Sequence, residues 1–266
     1  LGQHLVPLAK QEYETGATYF SYNPLQSSSA SQLDVRNRTA VLQLVNKLQP
    51  QVLIHTVGSN RPGDMANVIT SGTNHVTEAA ADVGARLIHI STDVVFNGKD
   101  APYAEDAPPT PVHNYGRAKA EAERTVQRHV DHVIVRTSLI YGLQVMDSGT
   151  SWIVEALIAG KPVTLFNDQR RNPVWVETLC QACLELAGSH YRGILHVAGE
   201  QELTRAEFGC RMLDWWGIEK RSTLAEGPSD PDLWPQDCTF DLTRARAVLR
   251  TLLPGVDTVL QQRGIF

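Results

Sequence analysis

Ala85-Arg86-Leu87-Ile88-His89-Ile90-Ser91-Thr92-Asp93 runs from an apolar segment directly into three small polar residues. The segment 85–90 reads as a buried strand, and Thr92 falls just past its C-terminal end. In open α/β sheets that edge is where ligands bind. Downstream, Tyr115 to Val126 is rich in strong helix formers, with Tyr115 and Lys119 four residues apart. Positions i and i+4 share one helix face, so a phenol and an ammonium can point into the same cleft. A lysine cation beside a tyrosine favours the ionised phenol, which suits proton transfer near neutral pH. The pair alone is a weak signal. Joined to a hydroxyl at a strand end, it becomes a candidate site.

Working outward, the chain alternates. A strand is expected over 17–22, a polar serine-rich stretch over 27–32, a helix over 37–48 ended by Pro50, and a strand over 51–57. Helix 72–83, strand 85–90, helix 116–129 and strand 132–138 continue the pattern. Strands and helices in this order imply right-handed βαβ units and a parallel sheet, a Rossmann-type doubly wound α/β fold. Residues 1–10 have the apolar spacing of an amphipathic helix, so a first strand is expected to be missing ahead of them, through truncation. We expect a cofactor-binding domain over 1–143 and a smaller mixed α/β substrate domain over 144–266, with a strand near 193–198 returning to the main sheet.

Composition narrows the function. A chain of 266 residues can bury a substantial core. Its formal charge of −5 argues against a nucleic-acid or membrane surface, which would need clustered Lys and Arg. No stretch reaches the roughly eighteen apolar residues of a membrane span. A cytoplasmic, reducing setting is the expectation. Cys180 and Cys183 form a C-x2-C, but within an amphipathic helix over 176–187 that has no second ligand pair. Core packing is the better account of both, and no metal site is expected.

The chain resembles an extended short-chain dehydrogenase/reductase, and within that superfamily the dTDP-4-dehydrorhamnose reductase branch. The stretches 89–98, 101–111 and Tyr115–Lys119 carry the resemblance most specifically; 136–142, 168–176 and 193–199 extend it into the second half. The resemblance implies reduction of a keto group on a nucleotide-linked deoxysugar by a bound nicotinamide cofactor. It makes Thr92 the hydroxyl that holds the substrate oxygen, Tyr115 the proton donor and Lys119 the cation on the nicotinamide ribose. Gly2 matches the end of the family's glycine-rich phosphate loop. Asp34 and Val35 fall where adenine contacts are found, and Thr56, Val57, Gly58 and Ser59 where the cofactor lies close to the strand end. Ser21, Tyr22 and Asn23 carry no charge that would choose between cofactors. NADP is expected because reductive members often use it, with NAD as the alternative.

Several positions depart from the family. Val94 and Leu139 replace an aromatic Tyr and Trp that would face the sugar, and Ile69 stands where an Asn often supports the lysine through a water. Trp152, Gln169 and Arg170 are candidates to line the substrate pocket, with Arg170 or Arg171 able to meet a nucleotide phosphate. Trp215 and Trp216, on an amphipathic helix, read as core packing rather than a stacking site. His55 and His89 read as satisfied core residues. The resemblance leaves room for a homodimer. It also leaves two other functions open. One is a sugar-nucleotide epimerase or dehydratase, although a dehydratase would want Asp-Glu after Thr92 and this chain has Asp93-Val94. The other is a regulatory subunit resembling the β subunit of methionine adenosyltransferase, a likeness that includes Arg61-Pro62.

Overall fold

The computed structural model describes residues 1–23, 25, 30–59 and 63–264. In chain order the elements are α1 (Gly2–Ala9), β1 (Ala17–Tyr19), β2 (Ala30–Gln32), α2 (Arg38–Leu48), β3 (Val52–His55), α3 (Gly72–Val83), β4 (Arg86–Thr92), α4 (Asn114–Val126) and β5 (His132–Thr137). The second half follows with β6 (Ile140–Tyr141), α5 (Ser148–Ile158), β7 (Val163–Phe166), β8 (Arg170–Arg171), β9 (Val174–Trp175), α6 (Val176–Ala187) and β10 (Gly193–His196). It ends with β11 (Leu203–Thr204), α7 (Arg205–Trp215), β12 (Leu224–Gly227), α8 (Thr243–Val248) and α9 (Val256–Gln262).

The central sheet has four parallel strands in the order β10-β5-β4-β3. The expected return of the 193–198 region to this sheet is seen in β10, which pairs with β5 from Gly193↔Val133 to His196↔Arg136. Strand alternation sends successive side chains to opposite faces. Leu87 and Ile134 face Val41 and Val45 of α2, Val76 and Ala80 of α3, and Val126 of α4. Ile88, Ile90, Val133 and Val135 face Leu5 of α1, Leu179, Cys180 and Cys183 of α6, and Ala245 of α8. Helices therefore cover both faces, and a doubly wound Rossmann-type α/β fold results. Both cysteines of the C-x2-C lie in that core, and burial pushes the Cys180 thiol up to about 12.

Two local readings change. The strand expected over 17–22 is only Ala17–Tyr19, and a strand, β2, occupies the end of the polar serine-rich stretch. Its identity comes from parallel pairing, Ala17↔Ala30 through Tyr19↔Gln32, and not from its own residues. A π-helical turn, Asn67–Ser71, precedes α3 and brings Ile69 to full burial.

The second half builds beside the C-terminal edge of β4 and β5. Trp215 packs on a cluster with Tyr141, Phe208 and Met212, and its indole N–H donates to the carbonyl of Leu143 at 3.2 Å. Segment 235–241 closes back on the loop after β4. Asp237 N donates to Gly98 O, Tyr103 N to Thr239 O at 2.8 Å, and Asp241 N to Tyr103 O at 2.8 Å. Among the described residues no helix is long and apolar enough to cross a membrane.

Candidate active site

Thr92 ends β4 and caps a short 3-10 turn, Asp93–Val95: Val94 N donates to Thr92 Oγ1 at 3.4 Å. Thr92 Oγ1 in turn donates to Asp93 Oδ1 at 3.1 Å. The helix bearing Tyr115 and Lys119, expected over 116–129, runs from Asn114 to Val126, starting early because His113 caps it: its Nδ1 accepts from Gly116 N at 3.1 Å. Gly116 allows α4 to approach closely. A Cβ there would stand 2.2 Å from Val94 O and 2.9 Å from Pro111 Cβ. The face carrying Tyr115 and Lys119 is thus seated against the end of β4.

Lys119 is 3% exposed and donates to Ile90 O at 2.5 Å, with His89 Nε2 3.3 Å from the same Nζ. Burial brings its pKa down to about 8, against the raising effect of Glu123 one turn along α4. Tyr115 corrects an expectation. Desolvation first, then the negative charge of Asp93, raises its phenol to about 12. The sequence shows only the neighbouring lysine; burial and a carboxylate reverse its effect. Tyr115 is therefore a protonated donor across the neutral range.

Asp93 is a hub that sequence reasoning missed. Ser138 Oγ donates to Asp93 Oδ2 at 2.6 Å, and Arg171 Nε lies 3.5 Å from the same oxygen, with both side chains nearly fully buried. Arg171 also donates to the carbonyls of Gln236 and Pro235. Arg170, in contrast, points outward and pairs with Glu202 at 3.1 Å and Asp237 at 3.7 Å. Of the two arginines, Arg171 is the one at the site. Behind it, Arg136 and Glu123 form a buried pair at 2.8 Å, and Ser91 Oγ donates to Glu123 at 2.5 Å. Trp234 was missed as well; its ring meets His113 edge-on at 5.5 Å, on the Tyr115 side of the cleft.

Other expected residues fall as follows. Gly2 opens α1 beside the end of β3, where a Cβ would stand 3.5 Å from Thr56 Oγ1. Val57 packs on the α2–α3 core, Gly58 is exposed, and Ser59 follows it. Asp34 lies in a turn and is held by Arg36 at 2.7 Å, which keeps its carboxyl below the usual range. Val35 is buried and its carbonyl meets His75 Nδ1 at 2.9 Å. Val94 is half-buried beside Thr92. Leu139 packs against the Tyr141 cluster, and Trp152 is exposed on α5. Gln169 is buried, and its Nε2 has no hydrogen-bond partner among the described residues. Arg61 and Pro62 lie outside the described residues.

A family model described as "RmlD substrate binding domain" matches residues 1–255. Among curated proteins, the chain is 30% identical over 204 residues to the methionine adenosyltransferase 2 subunit beta of Xenopus laevis, a match over 70% of this chain. The chain spans 60% of that relative's length. It is 28% identical over 250 residues to the probable low-salt glycan biosynthesis reductase Agl14 of Haloferax volcanii, covering 85% of this chain and 79% of that protein. Among solved structures, a dTDP-4-dehydrorhamnose reductase from Bacillus anthracis in complex with NADP superposes with a TM-score of 0.77 at 23% identity, covering 91% of this chain and 90% of that one. The Bordetella bronchiseptica enzyme WbmH in complex with NAD+ superposes with a TM-score of 0.81 at 18% identity, covering 99% and 96%. At those identities the likeness establishes the fold.

Proposed function

The chain belongs to the RmlD substrate binding domain family, and from that premise we propose that it is an NAD(P)-dependent oxidoreductase of the extended short-chain dehydrogenase/reductase type. Its substrate on this reading is a keto group on a nucleotide-linked deoxysugar. The observation that carries it is the seating of Tyr115 and Lys119 on one face of α4 against the end of β4, where Thr92 stands. Residues 1–143 serve the cofactor and 144–266 mainly the substrate.

The residues suit a dinucleotide. Gly2 at the start of α1, with Thr56 to Ser59 after β3, offers backbone that a phosphate chain can approach. Asp34 and Val35 flank the adenine side, although Asp34 shares its charge with Arg36. The nicotinamide cofactor, NADP by preference and NAD as the alternative, supplies a hydride when bound. Lys119 offers its remaining N–H to a ribose hydroxyl. As charge develops on the substrate oxygen, Tyr115 gives up its phenolic proton to that oxygen, and Thr92 exchanges its bond to Asp93 for one to the same atom. Burial, with the Asp93 charge beside it, keeps the phenol protonated until then. On this reading Val94, Gln169 and Arg171 border the substrate side, while Arg170, Trp152 and Leu139, also expected there, lie outward or in the Tyr141 cluster. The orphaned amide of Gln169 is the group there most in need of a polar partner.

The test is oxidation of NADPH and of NADH against a panel of nucleotide-linked 4-keto-6-deoxysugars, with Tyr115→Phe alongside. Turnover lost in the variant while the cofactor stays bound supports the reading. Equal turnover in Tyr115→Phe refutes it. The 30% identity to a methionine adenosyltransferase beta subunit favours a second reading, a cofactor-binding partner subunit. That reading expects bound cofactor, a protein partner and no turnover with any sugar in the panel. An epimerase would interconvert sugars with no net consumption of cofactor.

A further inference from the structure

His89 lies on β4 in the middle of the sheet, with none of its surface exposed. Its Nε2 is 3.3 Å from Lys119 Nζ. Its ring is 5.3 Å from that of His55, the register partner on β3, and His55 Nε2 is 3.2 Å from Thr73 Oγ1 on α3. The proposed reaction uses neither histidine. Ile69, fully buried in the turn before α3, brings only hydrocarbon.

An ammonium has three N–H donors and no acceptor. One goes to Ile90 O and a second meets His89 Nε2. That nitrogen can only accept, so the ring proton must sit on Nδ1. We propose that His89 is a positioning residue for Lys119: a neutral, Nδ1-protonated imidazole that takes one ammonium proton donor and leaves one N–H directed at the cleft. The inference rests on the reading of Lys119 as the ribose-binding cation. Among the described residues, the titratable groups that meet or act on Lys119 are His89 on β4, His55 on β3 and Glu123 on α4, with Glu123 held in turn by Arg136 of β5. Burial and the Lys119 charge both drive His55 and His89 toward the neutral form, which agrees with an accepting Nε2. His89 Nδ1 has no hydrogen-bond partner among the described residues, so on this reading its N–H is a buried donor left unpaired beside the His55 ring, a cost the ammonium contact must offset.

Two readouts test this without substrate. Nitrogen-15 NMR of the wild-type protein should give His89 as the Nδ1–H tautomer from about pH 6 to 8. Carbon-13 NMR of Lys119 Cε should give a titration midpoint that falls in His89→Leu and returns toward the wild-type value in His89→Gln, whose amide oxygen can accept. In turnover, His89→Leu should lose about tenfold or more in kcat/KM for the cofactor, the scale of a hydrogen bond to a charged group. His89→Gln should recover most of it. An Nε2–H tautomer, or an unchanged Lys119 midpoint in folded His89→Leu, overturns the proposal. If His89→Leu fails to fold, the wild-type tautomer and His89→Gln still decide it. A wild type that turns over no substrate yet shows the Nδ1–H tautomer and the shifted midpoint defeats the reductase reading and leaves the role of His89 standing.

Discussion

Lys119 donates to the carbonyl oxygen of Ile90 across 2.5 Å, so the cation carried by α4 is fastened to the backbone of the strand that ends in Thr92. Helix and strand end cannot drift apart without breaking a charge-assisted bond inside the sheet. Donor hydroxyl, phenol and cation are held as one unit.

Activity should fall as pH rises through about 8. Lys119 loses its proton near that value, whereas Tyr115, at about 12, stays protonated. The kcat/KM profile for the cofactor checks this, and a basic limb no lower than pH 10 would contradict it.

Stability should move the opposite way. Lys119 titrates at about 8 when folded and at the ordinary lysine value of 10.5 when unfolded. Between the folded and unfolded titration points the unfolded chain binds the extra proton, so unfolding free energy rises with pH. The gain across the window is of order 3 kcal/mol. Urea unfolding of the wild type and Lys119→Met at pH 7.5 and 10 isolates the effect, because the other titrating groups are common to both. Wild type should gain relative to the variant.

Thr92→Val should separate chemistry from folding. Among the described residues the hydroxyl bonds only Asp93, at 3.1 Å, and Val94 N, at 3.4 Å, and Asp93 keeps Ser138 and Arg171. Thermal stability should change by less than about 1 kcal/mol. Turnover should drop on the order of 100-fold, as when an oxyanion donor is removed. Unaltered kcat would remove Thr92 from the mechanism.

Glu123→Gln should be severe for stability. Arg136 is 1% exposed and makes three bonds to the Glu123 carboxylate. Removing one partner leaves a buried, uncompensated charge, which costs about 3–5 kcal/mol. A loss below about 1 kcal/mol in chemical denaturation would mean that water reaches Arg136.

Two glycines should respond differently to alanine. Gly116→Ala forces α4 away from Val94 O, with an overpacking cost of about 1–3 kcal/mol and a fall in kcat as Tyr115 shifts. A Cβ on Gly58 meets nothing within 4 Å, so Gly58→Ala should leave stability intact and weaken only cofactor binding. Melting temperatures and cofactor KM for the pair distinguish the cases.

Long periodic segments were readable because their pattern matches their burial. The helix expected over 72–83 is α3 to the residue, and that over 176–187 is α6. Helix α5 starts earlier than its apolar stripe because Asp147 accepts from Gly149 N and Thr150 N. Strand β2 was invisible, since its small polar residues are strand only through β1. Thr92, Tyr115 and Lys119 could be picked out because their cues are local. The Asp93–Ser138–Arg171 cluster and the His113–Trp234 contact could not, because each joins residues from different regions of the chain. The raised pKa of Tyr115 had no sequence signal, because desolvation is a property of the folded surroundings.

The clasp between segment 235–241 and the loop after β4 bears on how such a site could be re-engineered. A Cβ on Gly98 would stand 2.6 Å from Gln236 N, and Tyr103 bonds in both directions with the 239–241 backbone. Loops exchanged with those of a relative would therefore have to come in matched pairs, roughly 94–113 together with 228–242. A chimera exchanging either segment alone would meet a mismatched backbone seam.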